Sequence, residues 1–136
     1  MSLVLVDSSA WVEFDRDTPG PTNERLHHLI ESTDDVAVTE PVVMEITAGA
    51  RDDQRQSDLR RLLTRFHLLP FDAPVDFAGA TRIYRRCRSV GVTPQGLIDC
   101  MIAAVAWRNG ASLLCQDADF VRVAEVIEIP LDAASR

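Results

Sequence analysis

Short apolar runs, too brief to be helices, alternate along this chain with longer stretches of helical periodicity. Strands are expected at about residues 2–6, 36–38, 67–69, 112–115 and 126–129. Helices are expected at about 8–15 (capped by Ser8 or Ser9), 22–32, 40–49, 54–66, 75–88 and 95–108. Thr39 is placed to cap the third helix, with Glu40 and Pro41 in its first turn. Leu59, Leu62, Leu63 and Phe66 mark an apolar stripe on the fourth, and Phe77, Ala80, Tyr84 and Cys87 are expected to face inward from the fifth. Such alternation dictates an α/β fold: three layers, with a central, mostly parallel sheet of four or five short strands flanked by helices. With 136 residues, a single domain spanning 1–136 is expected.

Two of the apolar runs lead directly into aspartates. Leu3-Val4-Leu5-Val6 precedes Asp7, and Leu113-Leu114-Cys115 precedes Gln116, Asp117 and Asp119. In open α/β sheets, sites form beyond the carboxyl ends of the strands, so both aspartates enter one crevice if their strands are neighbours. A third, Asp99, interrupts the apolar helix Leu97 to Trp107. Glu45 shares its helix with Val42, Val43 and Ile46. Burying an ionised carboxylate is costly unless it is paired, hydrogen-bonded or metal-bound. Each acid has a plain alternative. Asp7 can cap a helix or form an Asx turn, Glu45 can lie on a solvated face, the helix dipole can stabilise Asp99, and Asp117 or Asp119 can cap a short helix. The joint pattern is what points to chemistry. Hard divalent ions such as Mg²⁺ or Mn²⁺ take oxygen ligands, and three or four carboxylates can hold one or two of them. Such ions activate water and stabilise a leaving oxygen without a histidine base. His27, His28 and His67 lie outside these segments.

Composition narrows the classes further. All 14 cations are arginine, with no lysine. This excludes a P-loop, which also needs a glycine-rich phosphate cradle that is absent. It also disfavours receiver-type phosphoacceptor domains and aspartyl-nucleophile phosphatases, both of which use a lysine. Ser9 occupies the position where such phosphatases carry a second aspartate. The net charge of −7 argues against nucleic-acid binding through overall charge. Cys87, Cys100 and Cys115 lack paired metal-ligand spacing and read as buried reduced thiols. No apolar run is long enough to span a bilayer, and the first residues lack the basic region of a signal peptide, so a cytoplasmic location is expected.

Four segments, in order, carry a family resemblance: Val6-Asp7-Ser8-Ser9; Thr39-Glu40-Pro41-Val42-Val43-Met44-Glu45 with Gly49; Gly96-Leu97-Ile98-Asp99-Cys100-Met101-Ile102-Ala103-Ala104; and Gly110 through Phe120. Over nearly its whole length the chain resembles the PIN domain, and within it the VapC-type toxins of bacterial type II toxin–antitoxin pairs. The resemblance implies a metal-dependent endoribonuclease that leaves a 3′-hydroxyl and a 5′-phosphate. It implies an acidic site at Asp7, Glu45, Asp99 and Asp117, with Asp119 as a possible fifth metal ligand and Ser8 near the metal or the substrate phosphate. Mg²⁺ or Mn²⁺ is the implied cofactor, structured RNA (tRNA first) the implied substrate, and a VapB-like antitoxin and a second copy of the chain the implied partners. Cys115 departs from the pattern, because many relatives carry Thr or Ser there.

Arginines cluster twice: Arg51, Arg55, Arg60, Arg61 and Arg65, and then Arg82, Arg85, Arg86 and Arg88. Arg82, Arg85 and Arg86 share a helical face, which serves equally as a solvated surface or as an RNA phosphate contact. Trp11 is either core or a partner contact. The rival from another class is a non-catalytic PIN-like module that binds RNA or protein; the intact acidic set counts against it.

Overall fold

A computed structural model describes residues 2–32 and 34–136. The elements run β1 (Val4–Val6), α1 (Ser8–Arg16), α2 (Pro21–Ser32), β2 (Val36–Val38), α3 (Glu40–Ala48), α4 (Asp53–Leu63), β3 (His67–Leu68), α5 (Ala73–Ser89), α6 (Leu97–Asn109), β4 (Ser112–Leu114) and α7 (Ala118–Val126). The strands form one parallel sheet in the order β3-β2-β1-β4, with helices packed around it, as the alternation of periods requires. β1 lies between β2 and β4 and is wholly buried, which is why its residues are all apolar.

The register decides where the acids go. Val4, Leu5 and Val6 pair with Ser112, Leu113 and Leu114. The two strands therefore end abreast, and Asp7 still bonds to β4 through its N–H to the Leu114 carbonyl (2.9 Å). The neighbourhood of strands one and four, on which the crevice depended, is present.

Three local expectations are corrected. Asp7, not Ser8 or Ser9, caps α1: its side chain accepts from the Ser9 N–H. No strand forms over 126–129. Phe120, Val123 and Ala124 bury at i, i+3 and i+4, which draws Val126 into α7, and Glu128 then turns with φ of 60°. The edge beside β4 is taken instead by 130–132. Leu113 donates to the Pro130 carbonyl and accepts from Asp132 N–H (both 2.9 Å), and Leu131 forms a single bridge. Pro130 has no N–H to extend that pairing.

On α5 the buried face is Asp76, Ala80, Ile83 and Cys87: Ala80 and Cys87 face inward as expected, while Asp76 and Ile83 take the places expected of Phe77 and Tyr84. Phe77 is exposed and meets Phe71 edge-on at 4.9 Å. A carboxylate can occupy the buried position because Arg108 grips it with two hydrogen bonds, 2.9 and 2.7 Å, and holds the Asp76 carboxyl below its ordinary pKa despite burial. Trp11 is core, buried between Phe14 and Phe66 with ring centroids 5.6 and 5.3 Å away, which removes it as a partner contact.

Candidate functional site

Asp7 leaves the carboxyl end of β1 and caps α1, so its side chain is fixed by the backbone on both sides. It is 3% exposed. Its Oδ2 accepts from the Ser9 hydroxyl (2.6 Å) and the Ser9 N–H (3.1 Å), while Oδ1 is buried with no hydrogen-bond partner. Burial pushes its pKa up to about 6; the Ser9 bonds oppose this, and the Glu45 charge adds to it.

Asp99 lies in the first turn of α6, where the helix dipole alone would favour its charge. Its pKa is nonetheless pushed up to about 7, first by burial and then by the charges of Asp7, Asp117, Glu45 and Asp119. Glu45 projects from α3 and accepts from the Ser8 hydroxyl at 2.7 Å. One oxygen each from Asp7, Glu45 and Asp99 lie within 4.8 Å of one another. Three elements far apart in sequence thus converge their acids on one point.

Asp117 and Asp119 stand at the margin. Asp117 caps α7, accepting from Asp119 N–H (2.9 Å) and Phe120 N–H (3.3 Å) through Oδ1. Its structural and electrostatic roles coexist, since its charge still reaches Asp99. Asp119 also reaches Asp99 electrostatically, and it is paired with Arg122 one turn along α7. Neither belongs to the tight group of three.

Ser9 escaped the sequence reading as a site residue. Its hydroxyl donates to Asp7 and accepts from the Gln116 N–H at 2.8 Å, tying the end of β1 to the segment that carries Asp117. Thr22 donates to the Gln116 side chain at 2.7 Å and braces that segment from α2. The available signal was a hydroxyl two residues after a strand-end aspartate, the spacing of an Asx-type turn. Cys115 is buried and its thiol is pushed up to about 12 by desolvation, so it supplies no hydroxyl and no thiolate. Cys100 behaves alike.

A cleft of about 700 Å³ opens beside the acids, lined by Ser8, Ser9 and Glu45 and also by Arg16, Arg51 and Arg55. Arg55 is paired with Asp15, and Arg51 lies 3.7 Å from Asp52. The expected substrate arginines are elsewhere. Arg82 and Arg86 line a second cavity against α6, and Arg85 lines neither. The histidines stay out of the acidic group; His27 packs on Phe14 at 4.8 Å.

The donor set is all oxygen, carries several negative charges and contains one buried, unpartnered carboxylate oxygen. These features suit a hard divalent cation.

Comparisons with known proteins bear on the family. Residues 4–126 match the PIN domain family. The chain is 40% identical over 134 residues to Ribonuclease VapC11 of Mycobacterium tuberculosis and to VapC ribonuclease Mb1587 of Mycobacterium bovis, with 98% of each chain covered. Its fold is that of a chain in the crystal structure of DNA-bound VapBC from Salmonella typhimurium, with a TM-score of 0.76 at 20% identity, covering 97% of this chain and 98% of that one. Matched by the PIN domain family over residues 4–126 and by VapC ribonucleases over nearly its whole length, this chain belongs to the PIN-domain family, among the VapC ribonucleases.

Proposed function

We propose that this protein is a divalent-metal-dependent endoribonuclease of the toxin type, with Asp7, Glu45 and Asp99 as the core of its metal site and Asp117 and Asp119 completing the acidic field. The observation that carries this reading is the convergence of one oxygen each from Asp7, Glu45 and Asp99 within 4.8 Å, with Oδ1 of the buried Asp7 left without a hydrogen-bond partner. A polar atom so placed costs stability unless something satisfies it, and its neighbours are acids, which call for a cation.

Bound there, Mg²⁺ or Mn²⁺ would supply water activation and charge neutralisation at the scissile phosphate. The chain's own residues do the rest. Ser9 holds Oδ2 of Asp7 and so fixes the orientation of the carboxylate. Ser8 orients Glu45 and borders the cleft, where its hydroxyl can also meet a substrate phosphate. Arg16 supplies positive charge on the cleft wall for the RNA backbone, where Arg51 and Arg55 stand beside Asp52 and Asp15. Arg82, Arg85 and Arg86 do not line this cleft.

Family membership supports an antitoxin partner: solved relatives include VapBC complexes, and the same likeness carries the toxin role. A tRNA substrate, 5′-phosphate products, a homodimer and a cytoplasmic location are part of the proposal and rest on that likeness. No helix among the described residues is long and apolar enough to cross a membrane.

The test pairs a thermal melt with RNA cleavage in Mg²⁺, in Mn²⁺ and in EDTA, using wild type and Asp7→Asn. Metal should raise the melting temperature of wild type alone, and cleavage should need both metal and Asp7. Purified tRNA, rRNA and mRNA offered in parallel rank the substrates. If metal changes neither stability nor activity, the acids are not a metal site and the binding-module reading replaces the nuclease.

A further inference from the structure

We propose that the cavity between α5, α6 and the end of α7 is a second RNA site, one that takes a single unpaired nucleotide with its base on Trp107 and its phosphate on Arg82 and Arg86. The inference rests on the ribonuclease reading but concerns a different surface.

Trp107 is 66% exposed, the most exposed of the large apolar side chains among the described residues. It borders a cavity of about 260 Å³ whose apolar walls come from Val75, Ile83 and Ile127. An exposed indole beside an apolar cavity is costly to leave in water and suited to stacking a flat ring. The charge on the wall decides which ring. Arg108 and Asp76 neutralise each other through their two hydrogen bonds. Arg82 and Arg86 remain, with no ion pair to any described residue. On a chain of net charge −7, a cavity whose uncompensated charges are both positive selects an anion.

A flat ring joined to an anion is a nucleotide, and aromatic stacking with arginine on the phosphate is how proteins hold unpaired bases. The volume is small for a ligand cavity and takes one base, not the row of side chains a helix would bring.

Position gives the site a use. Trp107 and Asp99 share α6 and are eight residues apart, about 12 Å of helical rise. The helix between them is largely buried. An unpaired base gripped at one end would set the register of a structured RNA relative to the acids at the other. The two sites share no lining residue. The second would therefore select RNA by shape and contribute nothing to the bond-breaking step.

The test is binding in EDTA, where cleavage does not interfere. The protein has two tryptophans, and Trp11 is buried, so quenching by an added base reports Trp107. Adenosine, guanosine, cytidine and uridine 5′-monophosphates, and a labelled ten-nucleotide single-stranded RNA, are titrated against wild type, Arg82→Ala/Arg86→Ala, Trp107→Ala and Trp107→Phe. Saturable quenching is expected in wild type and should be lost in the double arginine variant. RNA affinity by anisotropy should fall about tenfold in Trp107→Ala and be retained in Trp107→Phe. Trp107 and both arginines are exposed, so the variants should melt close to wild type. No quenching at millimolar nucleotide, or an emission change that follows protein concentration alone, overturns the proposal. Cleavage of the same RNA in Mg²⁺ is scored separately, so loss of this site and failure of the nuclease reading give different results.

Discussion

Replacing Asp7 by Asn should stabilise the metal-free protein. The wild-type carboxyl is 3% exposed and its pKa is raised from 3.8 to about 6, chiefly by burial. The folded state therefore keeps a proton that the unfolded chain releases between about pH 4 and 6. Stability from this group is fully present below 3.8 and is lost as pH rises through 6. The rise corresponds to about 3 kcal/mol. Asp99 has the same sign and extends the window to about pH 7; it is only half-buried, so solvent screening reduces its share. Asn is close in shape to Asp, can still accept from Ser9, and remains a good N-cap, so the helix start survives. Its amide can donate toward Glu45 and Asp99. Allowing about 1 kcal/mol for exchanging a charged acceptor for a neutral one, the net gain at pH 8 in EDTA is about 2 kcal/mol. For a domain of this size that is a rise of roughly 8 °C. The assay is urea and thermal unfolding followed by the buried Trp11, at pH 4.5 and pH 8, with and without Mg²⁺. The variant and wild type should converge at pH 4.5, and Mg²⁺ at pH 8 should lift wild type alone. If Asp7→Asn in EDTA at pH 8 melts at or below wild type, the electrostatic reasoning fails.

Two further substitutions probe the frame around the acids. Arg108→Ala strips the partner from Asp76, whose side chain is 2% exposed, and should cost about 3–5 kcal/mol at neutral pH. The wild-type pair contributes above the ordinary carboxylate range and loses its contribution as pH falls through the lowered pKa of Asp76. The deficit of the variant in urea unfolding should therefore shrink below pH 4. Ser9→Ala removes the link from Asp7 to Gln116 and should weaken Mn²⁺ binding about tenfold in a direct titration, with a stability loss of about 1 kcal/mol. Unchanged Mn²⁺ affinity would show that Ser9 does not orient Asp7.

The fold was legible because each level of the sequence agreed with the next. Runs such as Val36-Ala37-Val38 are too short for helices and too apolar for loops, and the gaps between such runs hold helical stripes. The acids were legible for a related reason: a carboxylate among Ile98, Met101 and Ile102 contradicts its surroundings. Asp7, Glu45 and Asp99 do come together. What failed depended on partners remote in sequence. Asp76 can replace Phe77 on the buried face only because Arg108 lies across from it, 32 residues away. The stretch 126–129 reads as a strand by composition, yet Phe120 and Val123 had already committed the preceding turn to helix. The bond from Ser9 to Asp7 had a local signal in its spacing, but its second partner is a backbone N–H 107 residues distant, which no local spacing shows. Trp11 could be settled only by the placement of Phe14 and Phe66 around it.

The acids sit where the sheet leaves them little alternative. β1 is central and buried on both sides, so the first polar residue after it, Asp7, must emerge between β2 and β4 at the crowded edge. Glu45 reaches that edge from α3 and Asp99 from the start of α6. The resulting repulsion and desolvation are costs that the apolar core must carry in the absence of a cation. Leu5, Val6, Leu113 and Leu114 are all fully buried beneath the site and supply that surplus. The site is thus a destabilised arrangement held by a stable frame, and its instability is the measurable form of its affinity for positive charge. Stability and metal affinity should therefore trade against each other: neutralising Asp7 or Asp99 strengthens the metal-free fold to the degree that it weakens cation binding. A variant that loses an acid yet neither gains stability nor loses cation affinity would show that the carboxylates are screened from one another by solvent.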